Sequence, residues 1–260
     1  MNELLTNKTC IIDADSLIYQ HGWIHRESNN FDDHLKSINS HINEIIYHSG
    51  CNSYLVFLTE NRNTFRTKWA TQREYKGQRP KEKIKFFHDL KNHLYNYWNA
   101  FSIPELEADD LCLIARTKYG EDNCVIASID KDLRQISGQF YNYKKMEMMT
   151  ITTDEAYKNL WIQVLMGDSS DNVPGCEGIG IKTAEKILAN VPFSEYPHII
   201  LDTYIEKYGV SEGLDRMNET FHLVYLLRDW HKEEFKLPEH TTIILDTPIS
   251  SNESTEVEFN

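Results

Sequence analysis

Acidic side chains recur at short spacings along this chain of 260 residues: Asp13 and Asp15, Glu60, Glu107-Ala108-Asp109-Asp110, Asp130-Lys131-Asp132, and Asp168 with Asp171. Carboxylates are hard oxygen donors, and with no clustered His or Cys beside them they suit Mg²⁺ or Mn²⁺ better than zinc. Two such ions, about 3.5 to 4 Å apart, lower the pKa of a bound water and clamp the attacking and leaving oxygens of an in-line phosphodiester displacement. A few residues past Asp171 comes Gly178-Ile179-Gly180-Ile181-Lys182-Thr183. Its glycines permit a tight turn whose amides, with Lys182 beside them, can face a phosphate. One short segment therefore offers ligands for a metal and a grip on a polyanion.

Taken singly, each acidic group has a plainer reading. Glu107 to Asp110 open a helix, where acids complement the dipole. Asp130-Lys131-Asp132 can be a turn, Asp168 and Asp171 can cap a helix exit, and Asp15 can be the N-cap of the next helix. Gly178 and Gly180 can serve only to pack two helices. What favours the metal reading is the conjunction: separate turns at one edge of one sheet all choose carboxylates.

The net charge of −13 argues at first against a nucleic-acid partner. Between Arg62 and Lys85, however, nine basic residues (Arg62, Arg66, Lys68, Arg73, Lys76, Arg79, Lys81, Lys83, Lys85) meet only Glu74 and Glu82, a local charge of +7 that leaves −20 on the remainder. A cationic band on an anionic body suits an enzyme that must bring a phosphate backbone to a carboxylate cluster. Phe65, Trp69, Tyr75, Phe86 and Phe87 interleave with these charges, so single-strand stacking can add to phosphate attraction, or the rings can pin the band to the body. A simply solvated basic face is the alternative, and Lys81, Lys83 and Lys85 cannot share one helix face.

The elements that must position these groups can be read from apolar periodicity. Thr9 to Asp13, Ser53 to Leu58 and Cys124 to Ile129 are short apolar runs, each followed or ended by an acid, as buried parallel strands would be. Helices are expected at Asp33 to Tyr47, at Pro80 to Trp98 with Pro80 as first residue, and at Glu107 to Tyr119 stopped by Gly120. The pattern is a doubly wound α/β sheet, mostly parallel, with helices on both faces and ligands at the carboxyl ends of the strands. After Thr150 the texture becomes helical: Thr153 to Met166, Lys182 to Asn190, Glu195 to Tyr208 and Glu212 to Trp230. We expect a single domain over residues 1–247, a late strand at Thr241 to Leu245, and a disordered acidic tail over 248–260.

Five scattered cysteines form no Cys-x-x-Cys pair, so neither a disulfide framework nor a zinc site is expected. No apolar run approaches a membrane span, and Met1 to Thr9 lack the apolar core of a signal peptide, which leads us to expect a soluble, intracellular (cytoplasmic) protein with no membrane partner.

Several motifs together, in order, resemble the 5′-nuclease family of flap endonucleases and 5′-3′ exonucleases, in its compact phage or bacterial type. They are the Ile12-Asp13 strand end; Arg73-Glu74-Tyr75-Lys76-Gly77-Gln78-Arg79-Pro80; Glu107-Ala108-Asp109-Asp110; Ser128-Ile129-Asp130-Lys131-Asp132; and Gly167-Asp168-x-x-Asp171-Asn172-x-Pro174-Gly175 with Gly178-Ile179-Gly180-x-Lys182-Thr183-Ala184. The resemblance runs from about Thr9 to Asn190 and more weakly to Trp230.

The resemblance implies a Mg²⁺- or Mn²⁺-dependent nuclease with two ions, in which Asp13 and Glu60 serve one metal, Asp109 lies between the two, and Asp130, Asp132 and Asp171 serve the second. Glu107, Asp110 and Asp168 would be inner ligands or hold bound waters. Lys76 would reach the scissile phosphate and Arg79 a neighbouring one. The family usually carries Asp at the end of its second strand, where this chain reads Leu58-Thr59-Glu60-Asn61. A helical arch over about 61–88 would bring Arg62, Arg66, Lys68, Arg73 and Tyr75 to DNA. A helix-hairpin-helix element within 153–230 would grip the duplex through Gly178, Gly180, Lys182 and Thr183, with K⁺ in its turn.

Substrates would be DNA with 5′ ends, nicks or flaps, and RNA paired to DNA, cut to 5′-phosphate products by a monomer. The absence of an attached polymerase leads us to expect a free-standing replication or repair enzyme, phage-encoded and acting in a bacterial host. Two readings stand beside this one: a structure-specific DNA-binding protein with a degenerate nuclease site, and a ribonuclease of the related small acidic-site sheet fold, which has no need of the Gly-Ile-Gly-x-Lys element.

Overall fold

The computed structural model of the protein describes residues 6–80, 82–230, 238 and 241–242. Strand β1 (Thr6–Asp13) leads through Ala14 into helix α1 (Asp15–Ile24), and α2 (Phe31–His48) follows, its start capped by the Asn30 side chain, which accepts from the Asp32 amide. Strand β2 (Cys51–Phe57), the short helix α3 (Phe65–Trp69), α4 (Phe87–Tyr97), α5 (Ala108–Tyr119) and β3 (Cys124–Ala127) come next. Strands β4 (Gly138–Asn142) and β5 (Glu147–Ile151) precede α6 (Thr153–Met166), which opens with a capping box between Thr152 and Glu155. The two-residue strands β6 (Gly167–Asp168) and β7 (Val173–Pro174), helices α7 (Ile181–Ile187), α8 (Tyr196–Tyr208) and α9 (Val210–Val224), and β8 (Thr241–Thr242) complete the described chain.

The main sheet runs in the order β5-β4-β3-β1-β2-β8. Strands β4, β3, β1 and β2 are parallel, while β5 and β8 pair antiparallel at the two edges. Alternate residues of the central strands enter different cores, as a sheet covered on both faces requires. Cys10, Ile12, Tyr54, Val56, Val125 and Ala127 pack with α1, α2 and α4, whereas Ile11, Leu55, Phe57, Cys124 and Ile126 pack with α5. A third apolar cluster, built from α6 to α9, also takes in Tyr75 from the loop after α3 and Val173 of β7. All five cysteines are buried and unpaired, and among the described residues no helix is long and apolar enough to cross a membrane.

The expected parallel strands and the helices at 33–47, 107–119 and 153–166 are found within a few residues of their sequence-based limits. The expected helix from Pro80 is not: α4 starts at Phe87, after Phe86 in the left-handed region (φ 57°). Tertiary packing wins over the helical pattern here, because Ile84 is pressed onto α1 at Gly22, where a Cβ would lie 1.9 Å from Ile84 Cδ1. The last helix also ends early, at Val224, because Tyr225 turns extended (ψ 123°). The antiparallel edge β5 and the short hairpin of β6 and β7 had no clear sequence signal. Of the expected late strand, Thr241 and Thr242 pair with Tyr54 and Ser53; Ile243 to Leu245 and the acidic tail over 248–260 lie outside the described residues.

In the hairpin of β6 and β7 main chain packs directly on main chain. A Cβ on Gly175 would stand 2.2 Å from Met166 C and 2.3 Å from the Gly167 nitrogen, and Gly167 itself is left-handed (φ +68°). Gly175→Ala is expected to cost about 3 kcal/mol, the upper end of overpacking effects. Gly180→Ala, where nothing lies within 4 Å of the new methyl group, should leave stability unchanged; urea midpoints of the two variants check the contrast.

Candidate active site

The parallel strands end side by side, and β1 delivers Asp13 to that edge. Its Oδ2 accepts from Ser128 Oγ (3.0 Å) just past β3, and its Oδ1 accepts from the Asp15 amide (3.2 Å). Ser128 Oγ in turn accepts from the Asp130 amide (3.0 Å), so one hydroxyl ties the ends of β1 and β3 together. Asp130 Oδ1 accepts from the Asp132 amide (2.8 Å), the turn read from the sequence, and Gln163 of α6 holds Asp132 Oδ1. Asp132 and Asp168 share a side-chain hydrogen bond, and Asp168 also accepts from the Ser170 amide (2.6 Å) and hydroxyl (2.7 Å).

The start of α5 supplies the opposite wall. Glu107 is its N-cap, in a capping box with Asp110. Lys76 Nζ donates to Glu107 Oε1 (2.6 Å) and lies 3.4 Å from Asp171 Oδ2, while the Tyr75 hydroxyl stands 2.8 Å from Glu107 and 2.9 Å from Asp171. Arg79 pairs with Asp171 Oδ1. One main-chain bond and three side-chain-to-main-chain bonds fasten this basic loop to the hairpin: the Lys76 amide donates to Asp171 O (2.8 Å), Gln78 Nε2 to Ser169 O (2.8 Å) and Ser170 O (3.0 Å), and Asn172 Nδ2 to Glu74 O (2.9 Å).

Asp13, Glu107, Asp109, Asp130 and Asp171 thus line one cleft of ≈ 1760 Å³ with Lys76, Arg79, Arg62 and Glu60. Behind it, Asp109, Asp132, Asp168 and Asp171 border a cavity of ≈ 20 Å³, room for one water-sized particle. Among the described residues no three His, Cys, Asp or Glu side chains converge tightly enough to enclose an ion unaided. The carboxylates line a cleft instead of forming a cage, the arrangement that hard cations use when water and phosphate oxygens complete their shell.

Crowding leaves a clear electrostatic signature. Burial, then the neighbouring charges of Asp15 and Asp130, pushes Asp13 up to about 7; burial and the bond to Asp168 push Asp132 to about 9. Burial also raises Asp109 well above its ordinary value and raises Asp130. Glu107 moves the other way, because Lys76 and Arg66 outweigh its burial. Burial pulls Lys76 down, but Glu107, Asp171 and Asp109 raise it overall, so it stays protonated. An excess of buried carboxylates that resist ionising together is what a divalent cation would relieve, so the donor set fits such an ion.

Four expected assignments need correction. Arg66 does not face a nucleic acid: it is fully buried and forks onto Asp110, with Nη1 2.6 Å from Oδ2 and Nη2 2.7 Å from Oδ1. Its remaining donors reach Leu223 O (3.0 Å) and Tyr225 O (2.8 Å). Asp110 is therefore no metal ligand, since its oxygens also accept from the Glu107 amide (3.2 Å) and the Leu227 amide (3.0 Å). Tyr75 cannot stack on a base; its ring is buried and its hydroxyl bridges Glu107 and Asp171. Glu60 lines the cleft but stays out of the carboxylate cluster: it is exposed, Asn61 donates to its Oε2 (3.3 Å), and its charge acts on Lys91 and Tyr95.

Elsewhere in the band Arg62, Lys68, Arg73 and Lys83 are exposed. Arg62 donates to Pro80 O (2.6 Å), Lys68 pairs with Glu105, and Arg73 faces solvent. In the second half, Gly178 is left-handed (φ +85°), and nothing lies within 4 Å of a Cβ built on Gly178 or Gly180, which removes the reading that these glycines only pack helices. Lys182 and Thr183 are exposed beside them. Sequence reasoning quoted Ser128 within a motif but gave it no role, did not find Gln163, whose polar side chain carries no motif, and read Asp15 only as a cap.

A family model described as the 5′-3′ exonuclease N-terminal resolvase-like domain matches residues 8–161. The 5′-3′ exonuclease of Halalkalibacterium halodurans is 37% identical over 101 residues, 32% of this chain and 32% of that protein. The 5′-3′ exonuclease of Buchnera aphidicola is 30% identical over 162 residues, 58% of this chain and 54% of that protein, and the DNA polymerase I of Bacillus caldotenax is 29% identical over 207 residues, 71% and 23% respectively. The match spans from about a quarter to about half the length of these relatives. Among solved structures, the T5 D15 protein co-crystallised with metal ions superposes with a TM-score of 0.66 at 20% identity, over 84% of this chain and 89% of that one. The bacteriophage T5 flap endonuclease in a pseudo-enzyme-product complex with DNA and metal ions gives 0.59 at 16% identity, over 84% and 97%. At this identity the likeness establishes the fold.

Two measurements test the electrostatics. The folded pKa values of Asp13 and Asp132, about 7 and about 9, lie above the unfolded value of roughly 3.9. The stability they contribute is complete below pH ~4 and is lost as pH rises through the folded values. The melting temperature of metal-free protein should therefore fall from pH 6 to pH 9, and Asp132→Asn should flatten the upper part of that fall; a pH-independent melting point contradicts it. Arg66→Met, which strands the Asp110 charge, should cost about 3–5 kcal/mol in denaturant unfolding.

Proposed function

The chain belongs to the 5′-3′ exonuclease family through the resolvase-like domain that its residues 8–161 match, and from that premise we propose that it is a structure-specific 5′ nuclease acting on DNA. One observation carries the reading: Asp13, Asp109, Asp130 and Asp171 line a single cleft in which Lys76 is held, charged, between Glu107 and Asp171. Two divalent ions, Mg²⁺ or Mn²⁺, are what Asp13, Asp109, Asp130, Asp132, Asp168 and Asp171 would hold. When bound they supply positive charge against the phosphodiester and make water a better nucleophile near neutral pH.

The chain's own residues do the positioning. Ser128 sets the spacing of Asp13 and Asp130, and Gln163 orients Asp132. Lys76 presents an ammonium group that cannot act as a base at neutral pH and is suited to stabilise charge building on the phosphate oxygens. Arg79, nearly half exposed, can leave Asp171 for a neighbouring phosphate. Contacts through Arg62, Lys68, Arg73, Lys182 and Thr183, with the Gly178 and Gly180 turn and K⁺ in it, would address backbone and not base edges, so recognition follows shape and 5′ ends. The same reading includes flaps, nicks and RNA paired to DNA as substrates, 5′-phosphate products, and a monomeric, intracellular, phage-encoded enzyme acting in a bacterial host.

Incubation of 5′-labelled flap and nicked duplex DNA with Mg²⁺ tests the proposal. Wild-type protein should release short 5′-labelled products; Lys76→Ala should be slowed by about 10²–10³-fold, the scale for loss of one transition-state donor, and Asp130→Ala by at least as much. Intact substrate beside tight binding by the wild type would favour a DNA-binding protein with a degenerate site. Replacing Arg73 and Arg79 together by Ala should weaken binding and reduce the slope of log K against log salt by about 2; an unchanged slope removes the basic loop from the interface.

A further inference from the structure

The end of β2 contributes no carboxylate to the cluster. Leu58 is fully buried in the core, the Thr59 hydroxyl accepts from the Ala108 amide (3.0 Å), and Glu60 is exposed among Asn61, Lys91 and Tyr95. Asp15, the first residue of α1 just beyond the neighbouring strand β1, lies at that place. The Ala14 amide donates to Phe57 O (3.0 Å), which carries the ladder between β1 and β2 one step beyond the strand and sets the next residue over the β2 end.

Asp15 is not the cap it resembles in sequence. Ala14 is the N-cap of α1, with no side-chain cap bond, and Asp15 is the first helical residue. Its Oδ1 accepts instead from the Thr59 amide on β2 (3.0 Å), and the Thr59 hydroxyl is a second partner. The side chain lines the same cleft as Asp13, Asp109 and Lys76, and its charge acts on Asp13 from one side and on Lys91 from the other. A carboxylate spent on capping would bond to its own helix; this one is turned away from it, tethered across two strands, and set against another acid where repulsion costs stability. Thr59, Lys76 and Lys91 offset part of that cost, yet burial still leaves Asp15 harder to ionise than a free carboxylate, and a divalent cation in the cleft would offset the rest.

We propose that Asp15 is a carboxylate of the divalent-metal site, positioned by Thr59, and that it takes the role on the Asp13 side of the cleft that Glu60 does not fill. The assignment rests on the nuclease reading. Calorimetric titration of the full chain with Mn²⁺ tests it independently of catalysis. Asp15→Asn should weaken binding by about 10- to 100-fold, the range for residues that support a metal, while Glu60→Gln should bind within twofold of wild type. Without metal, Asp15→Asn should melt at or above the wild-type temperature, because a charge facing Asp13 is gone. Should that variant melt well below wild type, Thr59→Ala carries the comparison: it leaves the Asp15 charge in place, loses one anchor, and should still weaken Mn²⁺ binding severalfold. Wild-type affinity in Asp15→Asn, or a loss confined to Glu60→Gln, overturns the assignment while leaving the nuclease reading intact. A wild-type chain that binds no Mn²⁺ overturns the nuclease reading itself.

Discussion

The fork between Arg66 and Asp110 is the interaction around which the two halves of the molecule are arranged. Both side chains are withdrawn from water, and such a pair is tolerable only when every donor and acceptor finds a partner. Here they do: the guanidinium bridges α3 to the carboxylate on α5 and to two carbonyls at the end of α9, while Asp110 accepts from the amides of Glu107 and Leu227. Arg66 meets the Leu223 and Tyr225 carbonyls where α9 stops at Val224 and the chain turns extended. It also fixes the first turn of α5, and with it Glu107 and Asp109, against the strand ends.

Around that fixed turn the fold concentrates like charges that oppose one another. Asp13, Asp109, Asp130 and Asp132 are all harder to ionise than free carboxylates, mainly because they are buried. Lys76 and Lys131 offset part of this, but Lys76 and Arg79 are paired with Glu107 and Asp171, and burial still outweighs the nearby cations at the strand-end acids. The destabilisation is confined to one edge of an otherwise apolar sheet, whose two cores can bear it.

Much of this was legible before any coordinates. Asp13 and Asp130 could be placed because buried parallel strands read as short apolar runs, and an acid just past such a run has to sit at the sheet edge. Lys76, Arg79 and Asp171 were legible through their motifs. Burial was not: Arg66 and Tyr75 carry the same letters as their exposed neighbours in a basic, aromatic stretch, and only the partner Asp110, 44 residues away, tells Arg66 apart. Asp110 was misread for the matching reason, as an acid in an acidic cluster. The helix expected from Pro80 failed because local periodicity cannot see Gly22 opening a berth for Ile84 on α1. Glu60 was the nearest acid in sequence to the β2 end, but the ladder that extends through Ala14 brings Asp15 there instead.

The clamp between the basic loop and the hairpin of β6 and β7 has a mechanical meaning. Lys76, Gln78 and Arg79 all donate to main-chain carbonyls of the hairpin, and the Asn172 side-chain amide reaches back to the loop at Glu74. The hairpin itself has no slack, since Gly167 and Gly175 already touch backbone to backbone. Were the loop to hold a strand as proposed, tension on it would reach the segment carrying Asp171 through the main-chain bond from Lys76 to Asp171 and through the amide side chains of Gln78 and Asn172. Pulling on the bound polymer and displacing the acid that faces it become a single motion.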